Sequence, residues 1–162
     1  MILASHQPDF FPYMGYFYKV FMSDTFVFSD NVQFSKRGMH NYNTILTANG
    51  PLRFTLPVHY HVENLNEIKV AADKATIEKM LKTLWMEYKK ADHFHEAFPV
   101  LEELLEAAPG APHLAVFNEG CIRRLCDLFG LSADREFLIS SVLPLKERRD
   151  ARIIEMCRLL GA

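Results

Sequence analysis

An α/β fold with a short, mainly parallel sheet is predicted from three features of this 162-residue chain. Apolar-centred runs at 1–5 (MILAS), 24–30 (DTFVFSD) and 135–142 (REFLISSV) have the composition of strands buried on both faces. Between the first two, Met14, Phe17, Tyr18 and Phe21 recur at helical spacing, so the first forty residues read as β-α-β. Strands joined in that way run parallel through a right-handed crossover. A long stretch of helical periodicity then fills the middle of the chain. The order of elements predicts a Rossmann-like three-layer domain with an inserted β-hairpin at about 43–58 and a helical segment at about 74–129.

Each element has a local reason. Pro12 sits near the first turn of the first helix, where its fixed φ is tolerated. Asn49-Gly50 is a two-residue turn signal, which predicts antiparallel strands at 43–48 and 52–58. NEIKVA (66–71) supplies a further short strand. Ile77, Met80, Leu81, Leu84, Trp85 and Tyr88 form one helical stripe, with Asp73 or Thr76 as N-cap. Phe94, Phe98, Leu101 and Leu105 predict a second helix, with Pro99 limiting where it begins. AAPGAP (107–112) is a linker. Leu114, Phe117, Cys121, Leu125 and Leu128 give a third helix closed by Gly130, and ARIIEMCRLLG (151–161) a last one ending on Gly161.

Composition excludes several classes. Hydrophobic residues make up 49% and charged residues 23%, as in one ordinary globular domain spanning 1–162. A net charge of −2 argues against a general nucleic-acid or anionic-membrane binder. No apolar run approaches the roughly 20 residues of a membrane span. The start lacks a basic n-region and cleavage site, so the expectation is a cytoplasmic protein. Cys121, Cys126 and Cys157 lie in helical patterns without metal-ligand spacing and read as buried thiols. Walker A, G-x-G-x-x-G, G-x-S-x-G and C-x-x-C patterns are all absent, which disfavours P-loop, dinucleotide, serine-hydrolase and dithiol chemistry.

Parallel sheets bind ligands outside the carboxyl ends of their strands. Those positions hold His6, Gln7 and Asp9 after the first strand, Asp30, Asn31 and Gln33 after the second, and Ser140 and Ser141 after the late one. His6 is the candidate base, because imidazole titrates near neutrality. Asp30 is the second catalytic candidate, able to hold a ribose hydroxyl, an ammonium or a metal; its plainer reading is a turn residue or cap. Gln7, Asn31, Gln33, Asn41 and Asn43 offer the donors and acceptors that read sugar hydroxyls and amides. Lys36-Arg37 can clamp a phosphate. His59-x-His61 and His93-x-His95 have the spacing of metal pairs but no third ligand nearby, and read as exposed histidines. Phe10, Tyr13 and Tyr16 are open as a sugar-stacking wall, whereas Phe17 and Phe21 read as core.

The runs HQPDFFPYMGYF and SDTFVFSDNVQFSKRGMHNYNTI resemble the WbqC-like family of bacterial surface-polysaccharide gene sets. Gln7, Pro8, Phe11, Pro12, Gly15, Tyr16 and Phe17 match its first block. Asp24, Asp30, Val32, Gln33, Phe34, Lys36 and Arg37 match the second, and Thr55, Pro57 and Val58 a following strand. Asn41 and Asn43 fit an Asn-rich block in which Tyr42 and Thr44 stand where the family usually has arginine. Family members usually continue with C-terminal elements beyond the helix at which this chain stops, so the resemblance leaves a natural short form, a fragment and an incompletely represented chain as alternatives. If the further residues add a strand, the sheet edge beside 135–142 is expected to be exposed or paired with another chain.

The resemblance further implies an enzyme of surface-glycan (O-antigen type) assembly. Its reaction would be acyl or aminoacyl (glycyl) transfer from an activated donor to a nucleotide-linked amino sugar. His6 would be the base, Gln7, Asn41 and Asn43 would surround the acyl oxygen, and Lys36 and Arg37 would meet the nucleotide phosphates. The alternatives are a non-catalytic nucleotide-sugar or glycan binding module and an ATP-binding, nucleotidyltransferase-like enzyme. The latter rests on a weak resemblance of Pro12-x-x-Gly15-Tyr16 to the H-x-G-H loop. No resident cofactor or oligomeric state is read from the chain.

Overall fold

The structure, a computed structural model, describes residues 1–60 and 64–162. Its elements run β1 (Leu3–His6), α1 (Met14–Phe21), β2 (Thr25–Phe28), β3 (Tyr42–Thr47), β4 (Gly50–Thr55), β5 (Val58–His59), β6 (Lys69–Val70), α2 (Lys74–Tyr88), α3 (Phe94–Glu106), α4 (Leu114–Leu128), β7 (Glu136–Ile139) and α5 (Arg149–Leu160). This is a mixed α/β chain with five helices among the described residues.

The parallel sheet has the order β1-β2-β7, with β2 in the centre and His6 in register with Phe28, itself beside Ile139. Phe26, Val27 and Phe28 are fully buried, as expected for a central strand covered on both faces. The other strands form two separate antiparallel pairs, β3-β4 and β5-β6. Residues 52–58 therefore do not make one continuous strand. β4 ends at Thr55, and Val58 starts a new pairing with Val70, because Pro57 lacks the N–H that would extend the ladder. The hairpin turn also falls one residue earlier than predicted. Thr47 pairs with Gly50, so Ala48 and Asn49 are the turn and Gly50 (φ 104°) opens β4.

The helices correct the sequence reading in several places, since Trp85 and Leu128 are exposed and Pro99 lies inside its helix. α1 buries Tyr16, Phe17 and Val20 and exposes Met14, Tyr18 and Phe21. Nearly every residue of MGYFYKVF is apolar, so the period alone could not select the inward face. α2 buries Ile77, Met80, Leu81 and Leu84, and Asp73 caps it by accepting from Thr76 N–H at 2.8 Å. α3 starts at Phe94 and carries Pro99 inside. α4 ends as expected, with Gly130 at φ 68°.

Two apolar clusters result. Phe10, Phe54, Leu56, Leu65, Ile68, Ile77, Leu105, Leu114 and Phe117 pack between the hairpin and α2–α4. Tyr16, Phe17, Val20, Phe26, Phe28, Ile122 and Cys126 pack against the parallel sheet. Phe10 of the opening loop joins the first, and Tyr16 of α1, which follows that loop, joins the second.

Candidate functional site

His6 is the last residue of β1, and its carbonyl accepts from Ser29 N–H at 2.8 Å, which ties together the carboxyl ends of β1 and β2. Its ring stands edge-on to Tyr16, with centroids 4.9 Å apart, and the side chain is 28% exposed. Nδ1 lies 3.0 Å from the Gln7 carbonyl and 3.7 Å from Asp9 Oδ2. A carbonyl only accepts, so Nδ1 carries the proton in the neutral ring and Nε2 keeps its lone pair.

Asp9 is buried and shared between two histidines. Its other oxygen, Oδ1, accepts from His40 Nδ1 at 3.1 Å, and the His40 ring is fully buried. Gly38 allows that packing, because a Cβ there would come within 2.4 Å of His40 Nε2. Asn118 of α4, with no exposed surface, donates through Nδ2 to the carbonyls of Pro8 (2.9 Å) and His40 (2.7 Å). One amide thus staples the two loops that carry Asp9 and His40. Asn43 Nδ2 donates to the carbonyl of Phe11, whose φ of 43° is the left-handed conformation of a non-glycine residue. Asn41 Nδ2 donates to the Leu56 carbonyl at 2.9 Å. Both asparagine amides are thus committed to backbone and support the loop.

Asp30 is buried at the end of β2 and joins three segments. Oδ1 accepts from Ser141 N–H (2.9 Å) and lies 3.1 Å from Ser140 Oγ; Oδ2 accepts from Asn66 Nδ2 at 3.3 Å. Asn31 Oδ1 accepts from Ser140 Oγ at 2.6 Å and from Arg152 Nη2 of α5. Gln33 is exposed and forms a bridge with Asn64. Ser140, buried, and Ser141, exposed, lie in a 3₁₀ turn directly after β7.

Glu119 and Arg123 on α4 lie close enough for charge to be felt, Asp30 acting on Glu119 and Glu119 on Tyr16. Their ion pair is 2.8 Å, and the Glu119 side chain is 13% exposed. Burial pushes the Glu119 carboxyl up, the Arg123 contact opposes this, and the charge of Asp30 adds to the rise. Burial also keeps the Tyr16 hydroxyl protonated, with the charges of Asp9 and Glu119 acting the same way, and it donates to the Gln7 carbonyl at 3.2 Å. Arg123 lies over the rings of Phe28 (5.2 Å) and Phe137 (5.1 Å).

Lys36 and Asn41 belong to a third place, a cavity of about 320 Å³ shared with Phe34, Arg53, Val58 and Tyr60. Arg37 is exposed. A larger apolar cavity of about 610 Å³ lies between the hairpin and α2–α3, with Phe11, Asn43 and Thr44 on one side. Of the aromatic wall, Phe10 (0% exposed) and Tyr16 (2%) are core and Tyr13 is exposed. His93 pairs with Glu96 at the exposed start of α3, and His61 lies outside the described residues.

His40, Asn118, Glu119, Arg123 and Arg53 escaped the sequence reading. Asn118 alone had a signal, as an amide four residues from Leu114 on the apolar face of a helix.

The WbqC-like protein family matches residues 7–162. An uncharacterized protein, Rv1507c, of Mycobacterium tuberculosis (strain ATCC 25618 / H37Rv) is 24% identical over 162 residues, covering 99% of this chain and 69% of that protein. No solved structure matches. No helix among the described residues is long and apolar enough to cross a membrane.

Proposed function

The chain belongs to the WbqC-like protein family, and we propose that it is an enzyme of bacterial surface-glycan (O-antigen type) biosynthesis. In this reading it is a cytoplasmic, Rossmann-like transferase that moves an acyl or aminoacyl group, glycyl among them, onto the amine of a nucleotide-linked amino sugar. The observation that carries the reading is the His6 ring, with Nδ1 engaged by the Gln7 carbonyl beside Asp9. That arrangement leaves Nε2 as a base on a partly exposed side chain at a strand's carboxyl end.

The sugar amine would attack the carbonyl carbon of the activated donor, forming the N–C bond as the leaving group departs with its electron pair. His6 Nε2 would take the amine proton, and Asp9 would face the imidazolium so formed. With the Asn41 and Asn43 amides engaged elsewhere, the Gln7 side chain, adjacent to His6, is the remaining amide for the developing oxyanion. Asp30, Asn31, Ser140 and Ser141 would form the neighbouring wall, with Asp30 positioning the loops rather than moving protons.

A second reading, a non-catalytic nucleotide-sugar binding module, draws on the same commitment of Asn41 and Asn43 to backbone. The nucleotidyltransferase-like alternative is weakened, since the Tyr16 hydroxyl at its second histidine position faces the protein interior. Incubating the protein with dTDP-linked amino sugars and activated acyl and glycyl donors, with mass-spectrometric detection, should give an N-acylated product that His6→Ala fails to make. No product across the panel, with a longer family member assayed alongside, removes the transfer reading. Calorimetric binding without turnover would then favour the module.

A further inference from the structure

We propose that Lys36 and Arg53 form a diphosphate-binding site on the hairpin face, and that its occupant is the diphosphate of a nucleotide or nucleotide sugar. The site stands on its own geometry, and only the identity of the molecule bearing the phosphates rests on the reading above. Both cations line one cavity of about 320 Å³, with Asn41 and the rings of Phe34 and Tyr60. Each cation is held by an aromatic face. Lys36 Nζ lies 4.3 Å from the centre of the Tyr60 ring, and the Arg53 guanidinium 3.5 Å from that of Tyr42.

These contacts place positive charge without neutralising it. No carboxylate of the described residues lies within ion-pair distance of either group. The frame beneath them is fixed. Tyr42 OH donates to the Arg37 carbonyl at 3.2 Å, tying β3 to the Lys36 loop, and Asn41 is anchored on Leu56. Arg53 stands directly across the hairpin from Thr44. A planar fork and a point charge sharing one cavity suit two linked phosphoryl groups better than one. Phe34 also touches the buried His40 ring, at 5.5 Å between centroids, so the site shares a wall with the Asp9–His40–His6 cluster.

Calorimetry with uridine diphosphate, pyrophosphate, inorganic phosphate and uridine tests the site, at about 50 mM salt where surface charge is weakly screened. Uridine diphosphate and pyrophosphate should bind, inorganic phosphate more weakly and uridine not at all. Lys36→Gln and Arg53→Gln should each weaken diphosphate binding about tenfold, the scale of one charge-assisted hydrogen bond, with thermal midpoints unchanged. Should Arg53→Gln lower the midpoint, Arg53→Lys replaces it, keeping the charge and losing the fork. It should still weaken diphosphate binding. Absence of diphosphate binding, or binding indifferent to both positions, overturns the proposal. His6→Ala should leave this binding intact, which separates the two claims. Binding without acyl transfer would sink the transfer reading alone, and transfer with a KM indifferent to Lys36 and Arg53 would sink the site alone.

Discussion

At the scale of single residues, the cluster around His6 separates groups that do chemistry from groups that hold them. His6 is partly exposed and packs against Tyr16 without entering the apolar core, so His6→Ala should remove turnover and leave the thermal midpoint nearly unchanged. A large loss of stability would instead assign it a structural role. Asn118 is the opposite case. Its amide satisfies two buried carbonyls from segments far apart in sequence, and Asn118→Ala leaves both without a partner. The expected cost is about 2–4 kcal/mol, from the loss of two hydrogen bonds with desolvated acceptors, read as a lower denaturant midpoint. Glu119 makes a pH test. Its carboxyl is pushed up by burial, so its protonated form is favoured by folding. That contribution is present below the ordinary glutamate range and is lost as pH rises through the raised value. Glu119→Gln escapes the loss, so its thermal midpoint should gain on the parent's as pH rises above the ordinary glutamate range. A constant difference would mean that the Arg123 contact fully compensates burial.

Single elements show how far local signals reach. The hairpin was legible because Asn49-Gly50 is chemically specific, yet the turn lies one residue earlier, since the positive φ is demanded at the strand's first residue. Gly50→Ala would force a side chain into that conformation and should cost about 1 kcal/mol or more, checked by chemical denaturation. The β1-α1-β2 unit was legible from apolar runs and a short connection, including its parallel pairing. The buried face of α1 was not, because a helix apolar all round carries no phase information; burial of Tyr16 is decided by Phe26, 5.5 Å away on β2. The candidate site divides in the same way. His6, Asp9, Asp30 and Ser140 follow from the strand-end rule, which needs only sequence order and strand type. His40 and Arg53 come to their places through the loop after β2 and the hairpin register, contacts between segments that no local pattern encodes. The Glu119–Arg123 pair, spaced by four, looks in sequence like any solvent-exposed helix pair and is partly buried in the fold, where Arg123 also donates to the Phe137 carbonyl of β7.

The whole molecule is organised around α4, which contributes to both apolar clusters. Leu114, Phe117 and Cys121 lie in the hairpin-side core, and Ile122 and Cys126 in the sheet-side core. The opening loop and the start of α1 join the two, with Phe10 of the loop in one and Tyr16 of α1 in the other. Loss of either core should therefore release the loop, which makes the geometry of His6 a property of the whole fold. The cysteines report on this. Burial pushes the Cys121 thiol up to about 12 and that of Cys126 up to about 11, so both are protonated and inaccessible at neutral pH. Cys157, on α5, is half-buried. A thiol reagent added to the native protein should label Cys157 first and leave Cys121 and Cys126 unmodified. Under increasing urea, the two protected thiols should become reactive at the same midpoint, because one continuous helix spans both cores and cannot lose half its packing cheaply. Labelling resolved by peptide mass would show this directly. If Cys126 reacts at a lower urea concentration than Cys121, the parallel sheet opens as a unit of its own, and the loop carrying His6 is held mainly by Phe10 and Asn118.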